Sequence, residues 1–523
     1  MTPRHFTIDR ATAAFAVACV LLVAVAFLMR VPSLAEPRWY RDEGIFAAVA
    51  YDIRHGQTLY SGAWDNKPPL IFYTYAGIQA VFGNGVVALH LVTSIVVLLT
   101  LMAVMAIALR LYGRWRALLA GVLFAAMMCT PVIEGNLAMT ETYMILPATL
   151  AVGCVLFAGA GERRLTWYAA AGALLGVAAL YKQVAVFDGA AIAVYVWLVE
   201  PRHAGATKSR ALSRLVMLAA AFAAPQIAFA AYFLVTGALP AYWYAIAGSL
   251  PLYSSLGPEE NALMRFAAYV PALLVTAWLA RRRAEGGSIG PAQFPALWLS
   301  FAVAGATSSN LPFPHYLQQA APALALTAAS IPALAPRDKL ERVTLAAAAA
   351  LALVLVAGQF GEARDRRQLS PLAYYENYVS YRAGERDYQQ YERFFDGSGE
   401  SVRDIAREIE RDGAGTTVYS WSELPWLYAA GGVSNPAPYY TSFLGELVPG
   451  AKATIIRELE ASPPAYIVVS DNAYAPFGDL DDLIADRYVL LVGRNDWRLY
   501  RLSSLHGAGP PPDTGPGDSA AGG

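Results

Sequence analysis

The sequence predicts a mainly α, multispanning membrane protein with a C-terminal extracytoplasmic α/β domain. The first observation is composition: the 523 residues are 56% hydrophobic and only 15% charged, with a mean hydropathy of +0.39, outside the range of an ordinary soluble domain. The second is a series of long apolar runs separated by short polar segments. The third is an abrupt change after Gln359, where the chain turns charged and aromatic. A formal net charge of −1 gives no basic surface for a nucleic-acid partner. Cys19, Cys129 and Cys154 all sit in apolar runs, where a thiol behaves as a small hydrophobe, and they form neither a CxxC pair nor a disulfide framework.

The first run, Ala11 to Met29, follows Arg4 and Arg10 in the manner of a signal peptide. It is longer than a usual h-region, has no small-residue cleavage site before Arg30, and precedes many more runs, so it reads as a retained helix. The further spans are Gly85–Leu109, Ala117–Ile133, Thr142–Ala158, Trp167–Leu180, Val184–Val199, Leu212–Val235, Phe266–Ala280, Phe294–Ser309, Tyr316–Leu334 and Val343–Gln359, making eleven. Several fall short of the roughly 20 residues that a perpendicular helix needs. The apolar stretch Trp167–Val199 is too long for one comfortable helix and is broken by Lys182-Gln183, which predicts a hairpin with its tip near Tyr181.

Basic residues set the orientation. With the N-terminus cytoplasmic, the inner segments carry Arg4 and Arg10, Arg110, Arg114 and Arg116, Arg163 and Arg164, Arg202, Lys208, Arg210 and Arg214, Arg281, Arg282 and Arg283, and Arg337, Lys339 and Arg342. The opposite loops hold only Arg30, Arg38, Arg41, Arg54, Lys67 and Lys182, with Arg265 at a boundary. This positive-inside bias puts the first loop, residues 30–84, outside. It predicts a multi-pass plasma (inner) membrane protein whose membrane part covers 1–360 and whose C-terminal domain, 361–505, lies on the outer face. In that domain Val402–Arg411 and Ile455–Leu459 have helical spacing, while Thr417–Ser420, Tyr466–Ser470, Tyr488–Val492 and Arg498–Arg501 read as strands. The Gly- and Pro-rich tail, 506–523, reads as disordered.

The chemistry-bearing residues gather in the first outer loop, in Trp39-Tyr40-Arg41-Asp42-Glu43-Gly44 and Trp64-Asp65-Asn66-Lys67-Pro68-Pro69-Leu70. A carboxylate at the membrane edge can act as a general base if it reaches the hydroxyl or amine that it deprotonates. Asp42 and Glu43 are adjacent and point in different directions, so they need not share a role. Lys67, assisted by Arg54, can neutralise a phosphate leaving group, because charge developing on a departing phosphate is best met by preplaced cations. Pro68-Pro69 stiffens the segment behind the lysine. Spacing alone leaves open that these are solvated loop charges with an incidental pairing.

Tyr40-Arg41-Asp42-Glu43, followed by Asp65-Asn66-Lys67-Pro68-Pro69-Leu70 and Phe82-Gly83, resembles the first extracytoplasmic loop of GT-C glycosyltransferases. More narrowly it is similar to the branch of protein O-mannosyltransferases and lipid A aminoarabinose transferases. The resemblance extends through Thr140-Glu141, Leu180-Tyr181-Lys182 and Pro312-Phe313-Pro314-His315-Tyr316, roughly the first two thirds of the chain. It implies a transferase that takes a sugar from a polyprenyl-phosphate carrier and hands it, usually with inversion, to a protein, lipid or cell-envelope acceptor at the outer face. Carried over, Asp42 is the base, Glu43 orients or contacts a metal, Lys67 holds the carrier phosphate, and Tyr40, Glu141, Lys182 and His315 line the cavity. In the aminoarabinose transferases an acid immediately precedes the lysine; here that position is Asn66, with Asp65 one residue earlier, which leaves a divalent metal in doubt.

Lys182 and Asp188 lie near membrane depth, where an ionisable residue is costly and is by default functional or paired. His315 reads equally as a substrate contact or a helix cap, His90 as a packing residue, and Glu134 and Asn136 as cavity or solvated loop. Asp479-Leu480-Asp481 matches a DxD motif formally, but its place before an apolar helix reads as N-capping. A transporter or flippase of lipid-linked sugars would put ionisable residues at mid-bilayer on broken helices, often with internal repeats; only Lys182 and Asp188 favour that. An outer-face scaffold would leave Asp42 and Lys67 without a shared task.

Overall fold

The computed structural model describes residues 9–158, 164–199, 207–255, 266–287, 289–309, 311–361 and 366–505. The tail 506–523, and Arg4, Arg163, Arg202 and Arg265 of the topology argument, lie outside the described residues. The first helices are α1 (Arg10–Arg30), α2 (Arg41–Arg54), α3 (Leu70–Phe82), α4 (Val86–Tyr112), α5 (Arg114–Met128), α6 (Thr140–Phe157), α7 (Arg164–Tyr181), α8 (Ala185–Val199) and α9 (Thr207–Val235). Among the described residues, five helical segments are long and apolar enough by themselves to cross a membrane: Arg10–Ala35, Val86–Tyr112, Thr140–Phe157, Ser209–Val235 and Lys339–Gly358. The chain is therefore a multi-pass membrane protein. Each of the other runs read as a span also carries helix.

Two compact units emerge from the packing. Among the described residues the first comprises 9–36, 66–74 and those of 86–394; the second comprises 37–65, 75–85 and 395–505. In the first, α4 runs for 27 residues, about 40 Å at 1.5 Å per residue, and ends at Gly113, whose φ of 87° turns the chain into α5. α7 ends at Tyr181 and α8 begins at Ala185, so the long apolar stretch does break at Lys182. Gly172 and Gly176 lie four residues apart on α7, and α9 comes so close that an added Cβ would stand 2.2 Å from the Leu218 carbonyl and 2.5 Å from that of Phe222. This is the small-residue contact by which helices pack in lipid. The run Tyr316–Leu334 is not one α-helix: a 3-10 segment Pro314–Ala320, an α-helix Ala321–Ser330 and a second 3-10 segment Ile331–Leu334 follow one another. Pro314, Pro322 and Pro332 each sit at the start of one of these pieces, where a missing N–H costs least. At the far ends of Val270–Ala284 and Lys339–Gly358, Arg282 pairs with the buried Glu341 at 2.7 Å and Arg281 with Asp338 at 2.7 Å.

The second unit is an α/β structure. Its four strands, β1 (Val418–Trp421), β2 (Tyr466–Ser470), β3 (Tyr488–Gly493) and β4 (Trp497–Leu502), form one sheet in the order β1-β2-β4-β3. β1 and β2 are parallel, with Val418 opposite Tyr466, and the other pairs are antiparallel. A parallel pair needs a crossover, and the helix Ala451–Ala461 lies in the connection, burying Ile455 and Leu459. Ser398–Asp412 buries Val402, Ile405 and Ile409, spaced as one helical face.

Two local readings change. The segment carrying Asp42 and Glu43 is the first turn of α2 rather than a loop; acids there oppose the positive end of the helix dipole. Asp479 and Asp481 also lie in a first turn, that of Gly478–Arg487, but Phe477 holds the cap position and no side chain caps it.

Candidate active site

In the first unit a cavity of about 630 Å³ is lined by Asn66, Lys67, Glu141, Lys182, Tyr253 and Tyr316, among others. Lys67 stands just ahead of α3, where Pro68 and Pro69 precede the first helical residue, Leu70. Its ammonium donates to Asn66 Oδ1 at 2.8 Å and lies 5.3 Å from the centre of the Tyr253 ring. Glu141 is in the first turn of α6, and Lys182 follows the last residue of α7. Lys182 donates to Glu141 Oε1 and covers the Tyr316 ring at 3.8 Å. The two tyrosine hydroxyls are 3.3 Å apart. Among the described lining residues the charges are two lysines against one glutamate, a net positive cavity with aromatic walls.

Glu141 accepts a second hydrogen bond, from Thr140 Oγ1 at 2.6 Å, and is only 1% exposed. His315 is also buried. Its Nδ1 donates to Glu134 Oε2 at 2.6 Å, and its Nε2 stands 4.0 Å from Glu141 Oε1. His315 thus bridges two carboxylates rather than capping a helix. Glu134 adopts a left-handed φ of 54°, rare for a residue with a side chain and typical of positions over-determined by their surroundings. Arg366 reaches its other oxygen at 3.4 Å, and its backbone carbonyl accepts from Gln318 Nε2 at 2.9 Å. Asp188, fully inside the bundle, accepts from Trp298 Nε1 at 2.6 Å and Gln319 Nε2 at 3.1 Å. His90 hydrogen bonds the Ser33 carbonyl at 2.6 Å, the packing role expected of it.

The second unit holds the other expected residues. Asp42 and Glu43 open α2, Glu43 is 1% exposed, and Tyr40 is the residue before the helix, its carbonyl accepting from Trp426 Nε1 at 3.0 Å. Arg54 closes the same helix twelve residues after Asp42, about 18 Å along its axis, and donates to Asn84 Oδ1 at 3.2 Å. Among the described residues no three His, Cys, Asp or Glu side chains converge to hold a metal ion. The acids nearest the cavity are engaged by Lys182 and His315, so the chemistry below is derived from the side chains alone.

Residues 66–229 match the family model described as Dolichyl-phosphate-mannose-protein mannosyltransferase, a stretch that contains Lys67, Glu141 and Lys182. The structure of ArnT from Cupriavidus metallidurans bound to undecaprenyl phosphate is 17% identical and superposes with a TM-score of 0.60, over 93% of this chain and 98% of that one. The chain has a GT-C fold. The apo state of the same ArnT gives 18% identity and a TM-score of 0.55 over the same shares. No curated protein sequence matches the chain. The resemblance first carried by the motif residues is borne out by both findings. Reading the sequence missed the partners that hold the GT-C cavity in shape, Gln319, Trp298 and Arg366, because nothing local marks a residue whose contact lies far along the chain.

Proposed function

We infer that the chain is a membrane glycosyltransferase that moves a sugar from a polyprenyl-phosphate carrier to an acceptor at the outer face of the plasma (inner) membrane. The observation that carries this is the pairing of Lys67 and Lys182 on one aromatic-walled cavity, inside the stretch similar to the mannosyltransferase family. An ammonium pair meets the charge that grows on a departing phosphate, and it is worth most in a site from which water is excluded. Tyrosine faces such as Tyr253 and Tyr316 suit a sugar ring, and the Glu141 carboxylate can accept from its hydroxyls. That ArnT was solved with undecaprenyl phosphate bound supports the same class of carrier here.

In this reading the acceptor oxygen attacks the anomeric carbon as its proton passes to the Asp42 carboxylate. The bond from that carbon to the phosphate oxygen breaks, its electron pair leaving with the polyprenyl phosphate, which Lys67 and Lys182 hold. Attack from the face opposite the phosphate inverts the centre. Glu43 orients the base. Eleven spans, an N-terminus in the cytoplasm and an outer α/β domain at 361–505 complete the topology, supported by the distribution of basic residues. The transporter reading leaned on Lys182 and Asp188; Lys182 lines the cavity beside Glu141, and Asp188 is held by Trp298 and Gln319.

Mass spectrometry of lipid-linked sugars and envelope glycans in cells lacking the gene tests the function. A transferase leaves its polyprenyl-phosphate donor accumulated and one decoration missing. An unchanged donor pool with unchanged glycans contradicts it.

A further inference from the structure

The 3-10 segment Pro314–Ala320 brings Tyr316 and Gln319 to the same cavity. At three residues per turn, positions i and i+3 of such a helix eclipse each other, so Gln319 stands one turn, about 6 Å along the axis, from the tyrosine that Lys182 covers. Gln319 is only 2% exposed, and one half of its amide is fully used. Nε2 donates to the Val184 carbonyl at 3.0 Å and to Asp188 Oδ2 at 3.1 Å, which spends both of its hydrogens. Asp188 is itself fixed by Trp298 Nε1 at 2.6 Å. The amide cannot turn over, since that would set Oε1 against a carbonyl and a carboxylate, acceptor against acceptor. The other half is spare: among the described residues Oε1 has no hydrogen-bond partner. It stands beside Gly305, another residue of the cavity lining, where an added Cβ would lie 2.7 Å from Oε1 and 2.8 Å from Nε2.

Burying a carbonyl oxygen without a donor is unfavourable, and folded proteins keep few such groups outside functional sites. We propose that Gln319 is a specificity-determining residue for the transferred sugar, its Oε1 accepting a hydrogen bond from a hydroxyl or amine on the sugar ring. The proposal rests on the reading of the cavity as the site of a polyprenyl-phosphate-linked sugar. The phosphate of such a lipid is not the partner, because as a diester it offers acceptors only, and Lys67 and Lys182 supply the hydrogens that it needs. A sugar ring set against Tyr316 reaches toward Gln319 one helical turn away, and there it meets an acceptor whose orientation Val184 and Asp188 fix in advance. A sugar lacking the matching hydroxyl or amine leaves Oε1 unpaired and is bound less well.

The test compares a lipid that carries the sugar with one that does not. Purified full-length protein in detergent is titrated with undecaprenyl phosphate and, separately, with the lipid-linked sugar extracted from membranes of cells lacking the gene. Gln319→Met keeps the length of the side chain and removes the amide. It is expected to weaken binding of the lipid-linked sugar about tenfold, the upper scale of a single neutral hydrogen bond, while undecaprenyl phosphate binds within about twofold of wild type. Loss of a merely structural amide moves both titrations alike, and that result overturns the proposal. So does an unchanged affinity for the lipid-linked sugar, the outcome if water alone satisfies Oε1. If Gln319→Met does not fold, Gly305→Ala carries the same test: its Cβ displaces the amide, weakening the lipid-linked sugar and sparing undecaprenyl phosphate, and equal effects on the two overturn the proposal. Wild-type protein that binds neither lipid removes the functional reading and this proposal with it, whereas wild type and Gln319→Met that bind both lipids equally well remove only the role of Gln319.

Discussion

Lys182 carries two loads at once, and removing it separates binding from folding. Its ammonium faces the cavity and also neutralises Glu141, which is 1% exposed. Lys182→Met leaves that carboxylate buried without its ammonium partner, a loss on the order of 3–5 kcal/mol, visible as a drop in the melting temperature of the detergent-purified protein. The double variant Lys182→Met/Glu141→Gln recovers most of that drop yet stays inactive, because the second phosphate cation is still missing. Lys67→Met has a different signature. Its affinity for a polyprenyl phosphate falls by about 1.5–3 kcal/mol, roughly 10- to 150-fold, as expected for a hydrogen bond to a charged group. Equal undecaprenyl phosphate binding by Lys67→Met and wild type in a titration contradicts the phosphate role.

Among the elements, α2 carries a titration of its own. Asp52, on the α2 turn just before Arg54, is completely buried, and burial pushes its carboxyl up to about 6 despite the Tyr440 hydroxyl at 2.8 Å, the Asn435 backbone and His55, which all pull it down. A carboxyl raised in the folded state binds its proton more tightly there than in the unfolded chain. Its contribution to stability is therefore fully present below about pH 4 and is lost as pH rises through about 6, by ~3 kcal/mol for a shift of about two units. Asp52→Asn has no such proton to lose, so the melting temperature of the variant should gain on wild type between pH 4 and pH 7; parallel curves refute the assignment. The α7–α9 contact makes a second element-scale prediction. Gly176→Leu forces α9 off the Phe222 carbonyl and Pro225, costing at least 1–3 kcal/mol for overpacking, whereas Gly77→Leu on α3, where an added Cβ meets nothing within 4 Å, is close to neutral. Equal melting temperatures for the two variants contradict that contact.

At the scale of the whole molecule, the long apolar helices were legible in the sequence to within a few residues, because burial in lipid leaves an unbroken signal of length and hydropathy. Tyr466–Ser470 was legible for a similar reason, as a largely buried strand is a short apolar run. α2 and α3 were not, since at 14 and 13 residues they are too short to stand out beside spans, and α2 mixes its apolar residues with charges. Of the cavity, Lys67, Glu141 and Lys182 stand in local motifs that the sequence displays, whereas Arg366 acts through a partner 232 positions away and leaves no local trace. The topology is open to a direct check with a membrane-impermeant maleimide. Cysteines at Ser61 and Tyr474 should label in intact spheroplasts, and a cysteine at the exposed Trp115 only after permeabilisation; the reverse pattern inverts the orientation.

The central claim, that Asp42 takes the acceptor proton while Lys67 and Lys182 hold the carrier phosphate, is tested most directly by Asp42→Asn in the purified full-length protein, reading sugar transfer and undecaprenyl phosphate binding side by side. Transfer should fall by at least about 100-fold, the usual share of a general base, with undecaprenyl phosphate binding and melting temperature unchanged. Wild-type transfer by Asp42→Asn would contradict the account.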